Sequence, residues 1–290
     1  MRLYTKVSVA ALGTTAVYFL LKAFPVGRKM ARNGNLEMVG FPEFWQKAHD
    51  LKPAAFASTL DVQRVSNQLF KKAISEPLHK VVRAIAKSTV NSLGALTTLL
   101  LNGYGNDAMK VARGMFENSV IVLYLIRHPE LLDDYFDYDH IKTKKQLDYL
   151  DNYDPDLVKG LPAVRRAEIE SNYQSVKAKF TDSKGRLRGS WSKASIREMA
   201  TEVGLEEHYL TFYSWAASMH HMDIRGVTLH ADNAVLDTDV APSLRWIPEA
   251  LISGHQAALI VLAEYNAVGG HGMDGEIDRL KASFLEVWKV

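Results

Sequence analysis

The chain has 290 residues, of which 47% are hydrophobic and 23% charged, with a formal net charge of +2 and no cysteine. That length and apolar content suffice for a full-sized core, and the charged fraction points to neither a disordered chain nor a polytopic membrane protein. The missing cysteines exclude disulfide frameworks, thiolate zinc sites and thiol nucleophiles.

The small net charge hides an asymmetry. Residues 1–36 hold Arg2, Lys6, Lys22, Arg28, Lys29 and Arg32 and no acid, while the rest sets 29 bases against 33 acids. A mildly acidic body argues against a general nucleic-acid coat but leaves room for a local basic face. Within the basic segment, VSVAALGTTAVYFLL runs uncharged from Lys6 to Lys22. As a helix, Val7 to Phe24 would measure about 27 Å, near the thickness of bilayer hydrocarbon. Pro25 and Gly27 would stop it. Two readings stand: a membrane anchor through residues 7–24 carrying a cytoplasmic body, or a first helix docked on the core or serving as a presequence. No small-x-small cleavage site follows the run, so a secretory signal is disfavoured. The sequence is thus divided into a hydrophobic segment, 1–36, and a helical domain, 37–290.

That domain reads as all-α and bundle-like. Pro53 and Pro77 separate short helices near 42–52 and 57–74 from a longer one at 78–102. In the longer one Val82, Ile85, Thr89, Leu93, Leu96 and Leu100 recur at helical spacing. NGYGND is a turn, and Asp107 is the expected N-cap of a helix over 107–127. Its second half, VIVLYLI, is apolar all round, which predicts a central position. An acidic, tyrosine-rich helix follows over 129–150. The stretch 159–197 then reverses the sign, with ten Lys/Arg against three acids. It is either a basic, aromatic-interleaved arm (Tyr173, Phe180, Trp191) for nucleic acid or acidic lipid, or a partner for the acidic helix of its own chain. Ser192 is the expected cap of the next short helix. Helices over 206–224 and 248–268 and an amphipathic C-terminal helix complete the pattern, with GGHGMDG as a linker before the last.

The segment YLTFYSWAASMHHMDIRGVTLHAD (209–232) concentrates three of the ten histidines with two tyrosines, an arginine and acids. Such side chains move protons and grip phosphate. At 100° per residue Tyr209, Phe212, Tyr213, Ala216 and His220 share a face, with His221 nearer Ser214 and Ser218. On the 107–127 helix, Arg113 and Glu117 stand four residues apart off the main apolar face. Buried in a central helix, an arginine needs a partner, so the pair either locks two helices or prepares a polar site. His220, His221, Asp223, His230 and Asp232 could be imagined around a metal. No HExxH or paired Glu-x-x-His accompanies them, so no metal and no cofactor is expected. The GxGxxG at Gly270, Gly272 and Gly275 lies too near the C-terminus to sit in a βαβ unit.

ARGMFENSVIVLYLIRHPE (112–130) together with YSWAASMHH and the glycine after it (213–226) resembles an uncharacterised bacterial all-helical family. Its pattern is Arg-x3-Glu on a central helix, then Tyr, a small polar residue and His at four-residue steps on a later one. The resemblance spans roughly Leu78 to Leu229 and implies Arg113, Glu117, Tyr213 and His221 as site residues. The intermediate serine falls on Ala217. More distantly the chain resembles the HEPN helical domains, many of which cut RNA through Arg-x4–6-His. RGVTLH (225–230) fits that spacing, but fifteen arginines and ten histidines make such a match expected by chance. Two functions are therefore carried forward. One is an RNA-acting or regulatory HEPN-like domain, with His221 as general acid or base, Arg113 on a phosphate and Glu117 orienting. The other is a non-catalytic, membrane-tethered interaction or scaffold protein. The partners these imply are RNA, a protein, a membrane or a second copy of the chain.

Overall fold

The computed structural model describes residues 42–221, 223–225, 228 and 242–289. The chain divides into two units, residues 1–40 and 41–290, and the first, with the hydrophobic run 7–24, lies outside the described residues. So do most of residues 226–241, including His230 and Asp232.

The described residues are helical, without a strand, in the order α1 (Pro42–Leu51), α2 (Pro53–Leu69), α3 (Pro77–Leu101), α4 (Gly105–Arg127), α5 (Leu132–Tyr153), α6 (Pro155–Val158), α7 (Ala163–Lys177), α8 (Ile196–Glu202), α9 (Glu206–His208), α10 (Ser214–His221), α11 (Ile247–Gly269) and α12 (Asp274–Trp288). Three of the early helices start on proline, whose fixed φ suits a first turn and whose missing N–H is lost there without penalty.

The long apolar helices α3, α4 and α11 pack on one another and form the centre. Leu93, Leu96 and Leu100 on α3, Ala112, Met115 and Phe116 on α4, and Leu251, Val261, Leu262 and Tyr265 on α11 are buried there. Each large side chain contributes on the order of 2 kcal/mol by leaving water. Close approach depends on small residues. A Cβ at Gly254 would lie 2.8 Å from Leu96 Cδ1. Among the described residues α3 is long and apolar enough to cross a membrane. Its apolar face lies instead in this core.

The α3–α4 connection is set by two glycines. Gly103 takes φ +76°, and a Cβ on Gly105 would meet the Arg245 carbonyl oxygen at 1.9 Å. The turn therefore fits against the entry to α11, where Ser243 N–H donates to Gly103 O. Helix α4 begins two residues before Asp107, which does not cap it. Asp107 sits in the first turn, where its charge suits the helix dipole, and pairs with Lys110 at 2.8 Å.

Beyond α4 the chain builds an outer arm. Helices α5 and α7 pack together over a small cluster of Leu147, Val158 and Ile169. The opposite charges of these segments meet: Arg166 forks onto Asp151, Lys144 bridges Asp148 and Glu170, and Lys179 reaches Asp134 and Asp137. Phe180 and Trp191 are buried and Tyr173 is half-buried, so the aromatics of the basic stretch face the protein. The next helix, α8, is capped by Ser195 rather than Ser192. Ser195 and Glu198 form a reciprocal capping box, whereas the Ser192 hydroxyl accepts from Ala194 N–H in the preceding turn.

Candidate functional site

The site is built where α4 meets the histidine-rich segment. The sequence pattern predicts one continuous helix over 206–224, but the chain changes winding. One α-helical turn (α9) leads into a π-helical stretch, Tyr209–Tyr213, before α10 resumes. A π-helical turn holds an extra residue, and such turns recur at functional sites. Phe212, Tyr213, Ala216 and Met219 face the core, and His220 is exposed. Steady 100° spacing had grouped His220 with the buried residues.

Tyr213 meets α4 through two hydrogen bonds. Its hydroxyl donates to Glu117 Oε1 at 2.7 Å and accepts from Arg113 Nη2 at 3.1 Å. The same Nη2 lies 3.1 Å from Glu117 Oε1. The guanidinium carbon stands 5.0 Å from the Tyr213 ring centroid. Arg113 keeps 18% of its side chain exposed and Glu117 keeps 32%. Each partner therefore satisfies the other two. The cost falls on Arg113 Nε, which is buried without a hydrogen-bond partner.

Aromatic rings seal the inner side. Tyr209 stacks on Tyr213 at 4.8 Å, and Phe116 lies between Tyr213 and His208, with centroids at 5.5 and 5.1 Å. His208 Nε2 is 3.0 Å from Ser253 Oγ on α11. A polar-aromatic column thus runs from α4 through the π turn to α11. The gap bounded by Phe116, Ser119, Leu205, His208 and Ile260 has no room for a water.

These surroundings fix the protonation states. Burial pushes the Tyr213 phenol up to about 12, with Glu117 adding to the rise and Arg113 opposing it. The phenol therefore stays protonated at neutral pH and acts as a donor, not a base. Burial lowers His208 to about 4, so it is a neutral imidazole.

Of the four predicted residues, Arg113, Glu117 and Tyr213 are brought together, and His221 stands apart. It follows Tyr213 by eight residues, about 12 Å of helical rise. It is exposed at the end of α10, where its ring meets that of His220 edge-on at 4.9 Å. His230 of the RGVTLH match lies outside the described residues.

His208, Ser253 and the π turn were not singled out from sequence. A signal existed for His208, which precedes Phe212 and Ala216 at four-residue steps and so shares their inward stripe. Ser253 is one hydroxyl in an otherwise apolar run. Only its neighbours in space mark it.

A family of unknown function (DUF5677) matches residues 79–236, more than half of the chain. The chain belongs to this family. No curated protein and no solved structure matches it. The DUF5677 region runs from the first turn of α3 past α10 and contains Arg113, Glu117, Tyr213 and His221. Helices α11 and α12, which carry Ser253 and close the core, lie beyond it.

Proposed function

We propose that this DUF5677 protein is a helical binding module, in which Arg113, Glu117 and Tyr213 lock the π turn against α4 rather than perform acid–base chemistry. The closure of the three-way network carries this reading. The phenolic proton is committed to Glu117, and one guanidinium nitrogen serves both oxygen partners. A general acid or base needs a hydrogen-bond path to a reacting group, and the Tyr213 hydroxyl already commits its proton to Glu117 and a lone pair to Arg113. The long hydrophobic segment over residues 7–24 suits tethering such a module to a membrane, with the helical body in the cytoplasm.

An RNA-acting, HEPN-like reading is favoured by a different observation. His220 and His221 are both exposed at the end of α10, and Arg113 and Glu117 retain partial exposure. The two readings separate on His221→Ala. As a binding module, the protein should show no His221-dependent cleavage of labelled RNA, while Arg113→Met lowers the melting temperature. RNA cleavage by the wild type that His221→Ala abolishes, at unchanged melting temperature, would overturn the lock reading.

A further inference from the structure

Helix α5 is acidic as a sequence but not on every face. Its carboxylate Asp151 turns to Arg166 on α7, and Asp148 pairs with Lys144 one turn back on α5. At 100° per residue Lys142, Lys145 and Tyr153 lie within about 40° of Tyr149, whereas Asp148 lies about 100° away and Asp151 about 160°. The solvent side of the C-terminal half of α5 thus holds Lys142, Lys145, Tyr149 and Tyr153 in one stripe, roughly 16 Å long, with no carboxylate in it.

The two tyrosines are unusual for a protein surface. Tyr149 is 62% and Tyr153 76% exposed, and their rings stack 5.5 Å apart with planes only 11° from parallel. They bury little area against the protein, so core packing does not account for them. Lys142 and Lys145 are exposed and form no ion pair among the described residues, and Lys142 lies over the ring of Tyr138. Other lysines of the arm, such as Lys144 and Lys179, are neutralised within it.

We propose that this stripe binds single-stranded nucleic acid, with bases stacking on the Tyr149 and Tyr153 rings and backbone phosphates paired with Lys142 and Lys145. Flat aromatic faces beside free cations match the two recurring parts of a single strand, its bases and its phosphates. A duplex hides its base faces and offers these rings nothing to stack on. An acidic peptide would use the lysines but would leave two polarisable rings without counterparts. The inference rests on the reading of the chain as a binding module, but not on the Arg113 network, which lies on other helices.

The test is fluorescence anisotropy of the full chain with a labelled oligouridylate, with duplex RNA as comparison. The single strand should bind in preference to the duplex. Tyr149→Ala and Tyr153→Ala should each weaken binding about tenfold, as loss of one stacked base does, while Tyr149→Phe and Tyr153→Phe should retain it. Replacing both lysines by glutamine should flatten the slope of log affinity against log salt by about 1.4, or 0.7 for each phosphate contact. The proposal is overturned if the wild type does not bind the oligonucleotide, or if removing the rings leaves affinity unchanged. It is also overturned if the alanine variants instead alter self-association of the protein alone, which would make the stripe a face between copies. None of these results touches the His221→Ala comparison, so the two readings fail separately.

Discussion

The centre and the outer arm of this protein use charge in opposite ways. At the centre, one arginine, one glutamate and one tyrosine close a single network between α4 and the π turn, mostly out of water. On the arm, the ion pairs that join α5 to α7 and to Lys179 each keep at least one side chain a third or more exposed. Solvent and salt compete with every arm pair, so each contributes little and replacements are tolerated. The central network has no such substitute. Its members depend on one another, and removing one strands the others in a poor solvent for charge. Few, buried and interdependent groups mark the place where the fold is most exposed to mutation.

The comparison is broken most directly at Arg113. Arg113→Met keeps the length of the side chain but leaves Glu117 and the Tyr213 hydroxyl without their cation. The expected loss is about 3 kcal/mol in denaturant unfolding, because one side of a mostly buried pair has been removed. A loss within the scatter of surface substitutions would show that Glu117 simply turns to water, and the centre would then resemble the arm.

Acid gives a second break. His208 and His255 are both held at about 4 by burial. His255 lies between Ser58 and Trp288, with Nε2 3.4 Å from the Ser58 hydroxyl and Nδ1 3.4 Å from the Trp288 indole nitrogen, and so ties α11 to α2 and α12. An unfolded histidine binds its proton near pH 6.5. Between pH 6.5 and about 4 the unfolded chain therefore holds more protons, and stability falls as the pH falls. The contribution is fully present above pH 6.5 and lost toward pH 4, on the order of 3 kcal/mol for each site. Urea unfolding from pH 7 to pH 4, repeated with His208→Gln and His255→Gln, should show a flatter profile in each variant.

How far these features could be read from the sequence follows the same division. The helices at the centre were legible because burial writes a 3.6-residue pattern, as with Leu93, Leu96 and Leu100. Proline and glycine punctuation placed most boundaries within a few residues. The Ser195 capping box is also written in the sequence, with Glu198 three positions on from Ser195. The π turn was not legible. It arises where Phe212 and Tyr213 both find buried places, and no local preference distinguishes it from a continuous α-helix. Arg113 and Glu117 could be paired from spacing alone, being one turn apart. Tyr213 is about a hundred residues away and entered through family resemblance. His221 entered in the same way, and lies outside the network because a helix carries it about 12 Å past Tyr213.

A smaller effect sharpens the central claim. Tyr213→Phe removes one hydroxyl and keeps the ring against Phe116 and Tyr209. Arg113 and Glu117 retain each other, so the expected loss is about 1.5–3 kcal/mol, that of a hydrogen bond to charged groups. Coupling between Arg113→Met and Tyr213→Phe should be strong, since each variant already forfeits the bond the other removes. Independent, additive losses would mean that the phenol is held by its ring alone.

The smallest expected effect belongs to the arm, and there salt is the instrument. Arg166 forks onto Asp151 with contacts of 2.7 and 2.9 Å, the best-formed pair on that surface. The arginine holds the Asp151 carboxyl below its ordinary range, so the attraction is present at neutral pH. Both side chains are open to water, however, and at 1 M salt the screening length shrinks to about 3 Å. A double-mutant cycle on Arg166→Gln and Asp151→Asn should give a small coupling at low salt that fades at high salt. The Arg113–Tyr213 coupling should persist better through the same titration, because its partners meet with less of their surface open to solvent. Equal salt sensitivity in the two cycles would place both networks in the same solvent and remove the distinction between centre and arm.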